Sequence, residues 1–243
     1  MPLFYNLHNL VVNAKNKKIR NIEDKWIISK LNSLIDKVTK ELEALHPHLA
    51  TRALQDFWLN DFSRGYIQFI RDRISGEDEE AKFVVKEIYE TIAKLLAPFC
   101  PFVTEYSWQN LRKKGVVKGE SVHLSSWPKA DKKKIDKHLE SRFELITKVI
   151  EAGMASRDKA GIGLRWPLAS ATIIGGDFKL KKEEEDIIKN QLNIKKLLLY
   201  QDSHTNTKNI SVDLDTEITP ELEAEGYARE ISRQVQDFRK KLG

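Results

Sequence analysis

The chain has 243 residues, 41% of them hydrophobic and 32% charged, with 41 Lys and Arg against 36 Asp and Glu and a formal net charge of +5. That composition can bury a core and remain soluble, and it permits a polyanionic partner without requiring one. A single cysteine, Cys100, excludes a disulfide framework and a cysteine-based zinc site, and no apolar run reaches the ~18 residues of a membrane span, so the expectation is a reducing, cytoplasmic setting with no membrane partner.

The opening MPLFYNLHNLVVNAKN lacks a basic leader and a small-residue cleavage site, so no secretory signal is expected. It reads as a helix already under way without a capping residue, which suggests a piece of a longer chain. From Asn21 to Leu45, Ile22, Trp26, Ile27, Leu31, Leu34, Ile35, Val38 and Leu42 recur at helical spacing, and the turn HPH (46–48) ends that helix. A second helix is expected to run to about Ile74. Within it, RALQDFWLNDFSRGYIQFIRDR (52–73) places Phe57, Trp58, Phe62, Tyr66 and Phe69 on an apolar stripe. Gly65 costs about 1 kcal/mol against alanine in a helix, so close approach of a neighbouring helix is its expected reason. SGEDEE opens a third helix near 79–97, where acids in the first turn suit the dipole. Pro98 and Pro101 bracket a break before a fourth helix at about 101–114, with Val103, Tyr106, Trp108 and Leu111 inward. Four amphipathic segments with short connections predict an antiparallel helical bundle.

ESVHLSSWP (120–128) reads as a short edge strand closed by Pro128, and the domain boundary is placed there, giving 1–128 and 129–243. A fifth helix is expected over 131–157, then a loop AGIGLRWPL (160–168), a strand in LASATIIGG, a charged helix at 179–191 and strands at 194–200 and 209–215. Thr219 as cap and Pro220 at the first helical position start a last helix. The fold class is therefore mainly α, a helical bundle followed by a small α+β domain.

No catalytic constellation stands out. GVVKGE and IIGGDF lack the spacing and ending of a phosphate loop. His46 and His48 read as a solvated turn rather than a metal pair, His123 as a surface histidine, and Cys100, between two prolines, as inert. Cations beside aromatics are the better lead. Arg64, Arg71 and Arg73 come from the second helix, where packed stems with solvated charge and an internal salt bridge to Asp61 or Asp72 are the rival readings. Arg112, Lys113 and Lys114 end the fourth helix. Lys132 and Lys133 sit at the expected start of the fifth, where positive charge opposes the dipole and so invites a functional reason. Arg165 and Trp166 form a pair suited to stacking on an unpaired base, with Trp166 as a core plug the alternative. Arg229, Arg233 and Arg239, followed by Lys240 and Lys241, line the last helix.

Six segments together resemble one family. DKWIISKLNSL (24–34), the 52–73 stretch and LAPFCPFVTEYSWQNL (96–111) resemble the anticodon-binding domain of class I aminoacyl-tRNA synthetases of the isoleucine, valine and leucine group. ESVHLSSWP, RDKAGIGLRWPL (157–168) and ELEAEGYAREISRQVQDFRKK (221–241) resemble the isoleucyl enzymes of archaeal and eukaryotic type, with valyl or leucyl identity the runner-up. Gly65 departs from the aromatic the family usually carries there, which puts local helix packing in doubt. The resemblance implies a part that recognises the anticodon stem-loop of isoleucine tRNA, with the cations above as RNA contacts. The HIGH and KMSKS signatures are missing, so the catalytic and editing domains are expected elsewhere. ATP and magnesium are expected to serve the parent enzyme, and this piece is expected to hold no cofactor. The rival reading is a docking module with an apolar edge formed by Leu3, Phe4, Tyr5, Leu7 and Leu10.

Overall fold

A computed structural model describes residues 17–175, 179–200 and 210–242, and side chains as far as 239. The apolar N-terminal edge from Leu3 to Leu10 lies outside the described residues. The chain folds as two compact units, 1–141 and 142–243.

Unit 1 is helical. Helix α1 (Ile22–Glu43) has Glu23 and Asp24 in its first turn and Lys40 in its last, the arrangement its dipole favours. It buries Trp26, Ile27, Leu31, Leu34, Ile35 and Val38. Helix α2 (Pro47–Asp56) starts with Pro47, whose missing N–H is no loss in a first turn. Its continuation differs from the single predicted helix. Phe57–Tyr66 is a π-helix, which passes into α3 (Ile67–Phe69). At Ile70 (φ −99°, ψ 9°) the path breaks before α4 (Arg71–Ser75). Gly65 has the expected packing reason. A Cβ there would lie 3.2 Å from the Trp26 ring and 3.1 Å from the Asn60 carbonyl, so α1 and the π segment meet over a bare backbone. The aromatic usual in the family has no room at this contact.

Helix α5 (Glu79–Leu96) is capped by Asp78, whose carboxylate accepts from the Glu80 and Ala81 N–H groups. Helix α6 (Pro101–Lys113) packs on α5, and Trp108 donates to the Gly119 carbonyl at 2.9 Å. The predicted edge strand at 120–128 is not a strand: Val122–Leu124 is a 3-10 turn. Side chains take its backbone groups instead of a partner strand. The Glu105 carboxylate accepts from Val122 N–H at 3.0 Å and from Ser121 Oγ at 2.8 Å, and Ser121 Oγ accepts from His123 N–H.

The fifth helix also starts later than predicted. Lys132–Lys134 is a separate 3-10 turn capped by Asp131, and α7 spans Lys137–Ala160. The three lysines therefore do not oppose a helix dipole, and that ground for assigning them a function falls away. The predicted boundary after Pro128 lies inside unit 1. The segment beyond it is tied to α1: Asn32 Oδ1 accepts from Asp131 N–H, Ser29 Oγ from Asp136 N–H, and Glu140 from the Ser29 and Ser33 hydroxyls at 2.6 and 2.7 Å.

Unit 2 is α+β. Strands β1 (Leu168–Ile174), β2 (Ile194–Tyr200) and β3 (Ser211–Leu214) form a sheet in the order β2-β1-β3. β1 runs parallel to β2, with Leu168 opposite Ile194 and Ile174 opposite Tyr200, and antiparallel to β3, with Ala171 opposite Leu214. Helix α8 (Lys182–Leu192) makes the crossover that a parallel pair requires. The core gathers Phe143, Ile146 and Val149 of α7 with Leu168, Ile173, Ile188, Leu192 and Val212. Helix α9 (Pro220–Leu242) begins as predicted, with Thr219 Oγ1 accepting from Leu222 N–H at 3.4 Å.

Candidate nucleic-acid interface

The three arginines of the 52–73 stretch have different surroundings. Arg64 and Arg71 are exposed and make no ion pair with another described residue. Arg73 is tied into the fold. Its guanidinium donates to Glu23 Oε1 at 2.7 Å, to both Asp24 oxygens at 3.0 and 2.7 Å, and to Asp78 Oδ2 at 2.9 Å. Tyr66 Oη adds a 2.7 Å bond to Asp24. Asp24 is fully buried, and desolvation pushes its carboxyl up to about 6 despite these donors. Burial opposes the Arg73 charge, but bonds to Asp24 and Asp78 outweigh it and hold its pKa above the usual value. The internal bridge exists, though not to the predicted partners. Asp61 pairs with Lys30 at 3.2 Å, and burial pushes its carboxyl up to about 6.

At the end of α6, Arg112, Lys113 and Lys114 are exposed, and Arg112 reaches Gln109 at 3.4 Å. Lys132 and Lys133 are exposed on their turn. Unit 1 thus presents exposed cations at two helix-flanking positions besides Arg64 and Arg71.

In unit 2 most of the arginines are committed to carboxylates. Arg165 meets Glu230 at 2.8 Å and Arg229 meets Glu225 at 2.8 Å. Arg233 bridges Glu230 and Asp237, both at 2.7 Å, and its hydrogen bond holds the Glu230 carboxyl down to about 2. Arg239 is exposed, while the Lys240 and Lys241 side chains lie outside the described residues. Trp166 is half-buried and plugs the contact with α9. A Cβ on Gly226 would fall within 3.0 Å of three of its ring atoms, and Tyr227 meets the ring edge-on at 5.2 Å. The ring packs on α9 as the core-plug alternative expects, and its remaining surface lines a cavity with Ile162, Ile218 and Glu223.

Two features escaped the sequence reading. Arg157 is 1% exposed and has only backbone acceptors: Leu192 O at 2.9 Å, Gly163 O at 3.2 Å, and Trp166 O and Asn193 O both at 3.1 Å. With Asn193, in the left-handed region at φ 50°, it ties the 161–167 loop to the end of α8. The helical period of α7 placed residue 157 near the apolar stripe, but four converging carbonyls are invisible in sequence. The second feature is α6. Val103 and Tyr106, predicted inward, are 43% and 55% exposed, and Phe102 is 89% exposed. The buried face of α6 is instead Thr104, Ser107, Trp108 and Leu111. A helical wheel centred on Trp108 would have shown this.

The remaining candidates are small. His46 Nδ1 lies 3.3 Å from Glu41, and the His46 and His48 rings are 6.0 Å apart. Cys100, expected in an apolar setting, is exposed at the start of α6. Among the described residues no group of three His, Cys, Asp or Glu is placed to hold a metal ion, and no helix is long and apolar enough to cross a membrane.

Residues 24–173 match the anticodon-binding domain of tRNA ligase. The chain is 40% identical over 183 residues to the isoleucine–tRNA ligase of Pyrococcus abyssi, covering 72% of this chain and 17% of that protein. It is 38% identical over 197 residues to that of Pyrococcus horikoshii, covering 76% and 18%. A similar match, 38% over 181 residues, is to that of Streptomyces coelicolor, covering 73% and 17%. The chain thus spans under a fifth of the length of these relatives.

Proposed function

The chain belongs to the family of anticodon-binding domains of tRNA ligases, and from that premise we propose that it is the tRNA-reading part of an isoleucine–tRNA ligase working in the cytoplasm. The observation that carries the reading is the division of cations. In unit 1, Arg64, Arg71, Arg112, Lys113, Lys132 and Lys133 stand exposed, while Arg73 and most arginines of unit 2 are held by carboxylates. Exposed, uncommitted cations are the groups that neutralise phosphates and release counterions. They position an RNA; its sequence is read at unpaired bases splayed from the loop. The partner proposed is the anticodon stem-loop of isoleucine tRNA, with exposed Arg239 contributing directly and Arg165, Arg229 and Arg233 contributing only where RNA displaces their acidic partners. Arg73 and Trp166 act through the fold.

Aminoacylation with ATP and magnesium is proposed for the rest of the parent enzyme. The HIGH and KMSKS signatures do not occur in this sequence, and His46-Pro47-His48 forms the entry to α2 rather than a phosphate site. No step through a nucleotide is assigned to these residues.

The test is a titration of the chain with an isoleucine tRNA transcript and with anticodon-substituted transcripts at several salt concentrations. The expected result is tighter binding to the cognate anticodon, with log Kd rising linearly with log salt at about 0.7–0.9 per phosphate contact. Absence of binding at low salt overturns the reading. One observation favours a second reading, docking within a larger enzyme: α9 exposes Tyr227, Ile231, Val235 and Phe238 at helical spacing, an apolar stripe among self-paired charges.

A further inference from the structure

Single exposed apolar residues are ordinary, but α6 exposes a set of rings. Phe102 is 89% and Tyr106 55% exposed, and they stand one helical turn apart. His123 is exposed beside them, its Nε2 3.3 Å from the Pro101 carbonyl. The same face of α6 runs on through Asn110 to Lys113, about 16 Å from Phe102 at 1.5 Å per residue. Between Pro101 and Gly119 the sequence carries four cations and one carboxylate. That carboxylate, Glu105, is partly exposed and is engaged by the neighbouring turn, accepting from Ser121 Oγ, Val122 N–H and Gln109 Nε2.

The face therefore begins in planar rings and ends in cations, and Glu105, its acid, is occupied by hydrogen bonds to the 121–122 turn. A single-stranded nucleic acid matches that order, because every base has a π-face to stack and every nucleotide brings a phosphate. We propose that Phe102 and Tyr106 form a stacking platform for unpaired nucleotides, with Arg112 and Lys113 taking the phosphates that follow. This rests on the RNA-binding reading and adds to two of its predicted cations, Arg112 and Lys113, an aromatic surface that the cations by themselves do not identify. The platform is sequence-tolerant: it holds a splayed loop open without reading it.

The experiment compares the whole chain with Phe102→Ala, Tyr106→Ala, Phe102→Tyr and Lys113→Ala. Each is titrated by fluorescence anisotropy with a hairpin RNA carrying an unpaired loop and with a duplex of the same stem. Phe102 is 89% exposed, so its variants should unfold at the parent temperature, and circular dichroism checks that every variant is folded at the titration temperature. The expected result is a loss of about 5- to 150-fold on the hairpin for each aromatic-to-alanine change. The duplex affinity and the salt slope should not move, and Phe102→Tyr should retain binding. Lys113→Ala should weaken both RNAs and lower the salt slope by about 0.7–0.9. If the parent chain binds the hairpin and the alanine variants bind it equally well, the platform is overturned and the RNA-binding reading stands. Equal losses on hairpin and duplex also overturn stacking. If the parent chain binds neither RNA, both proposals fall.

Discussion

Replacing Arg73 separates a residue that holds the fold from one that holds RNA. Arg73→Met keeps the aliphatic volume of the stem and removes the charge. It strips three carboxylates of their donor: Asp24, fully buried, and Glu23 and Asp78, partly so. Breaking a buried pair from one side costs about 3–5 kcal/mol when the orphaned charge cannot escape. Asp24 has an escape, because its carboxyl already sits at about 6 in the folded protein against 3.8 ordinarily. A folded pKa above the unfolded one means that the folded state binds the proton more tightly. The Asp24 contribution therefore favours folding as pH falls from about 6 toward 4, and is lost as pH rises through 6, by about 1.4 kcal/mol per unit of separation. Removing Arg73 drives Asp24 further up, so the variant suffers most where the parent carboxylate is ionised. The expected destabilisation is about 3–5 kcal/mol near pH 7.5, falling to about 1–2 kcal/mol near pH 5, where Asp24 is protonated and the partly exposed pairs with Glu23 and Asp78 are what remains to be lost. Urea unfolding followed by tryptophan fluorescence measures this. Four of the five tryptophans, Trp26, Trp58, Trp108 and Trp127, lie in unit 1, so the signal reports the unit that Arg73 holds. A loss below about 1 kcal/mol at neutral pH would refute the reasoning. So would equal losses at both pH values, or an RNA-binding defect with unchanged unfolding.

Two further outcomes concern unit 2. Gly226→Ala should cost about 1–3 kcal/mol, because its methyl group would enter the Trp166 ring, and Trp166→Ala in the same chain should relieve most of that cost; thermal unfolding of the single and double variants gives the coupling. Arg157→Met should cost about 3 kcal/mol or more by removing a donor from four carbonyls, of which, among the described residues, Gly163 O and Asn193 O keep a backbone N–H while Leu192 O and Trp166 O do not, and Arg157→Lys should recover under half of it, since one ammonium cannot reach both Leu192 and Trp166; the unfolding midpoint of unit 2, followed at Trp166, checks both.

The mainly helical first part, the later α+β order and the family were legible in the sequence, because they follow from local periodicity, turn residues and motif order. The 3.6-residue stripe of α1, the Asp78 and Thr219 caps and the apolar runs of β1 and β2 act over a few residues and survive in any context. Gly65 announced a close contact for the same reason, since a bare backbone inside an apolar helix has few other uses. What the sequence did not determine was which polar group meets which. Three arginines within ten residues look alike in a string, yet Asp24, 49 residues from Arg73, claims only that one. The 120–128 segment alternates like a strand, but a strand needs a neighbour, and Glu105 reached its backbone first. Val103 and Tyr106 read as core because apolar residues at helical spacing usually are; only the packing of Trp108 against α5 and Gly119 turned the other face of α6 outward. Burial and pairing depend on contacts distant in sequence, so the candidate interface, unlike the fold class, was decided by tertiary structure.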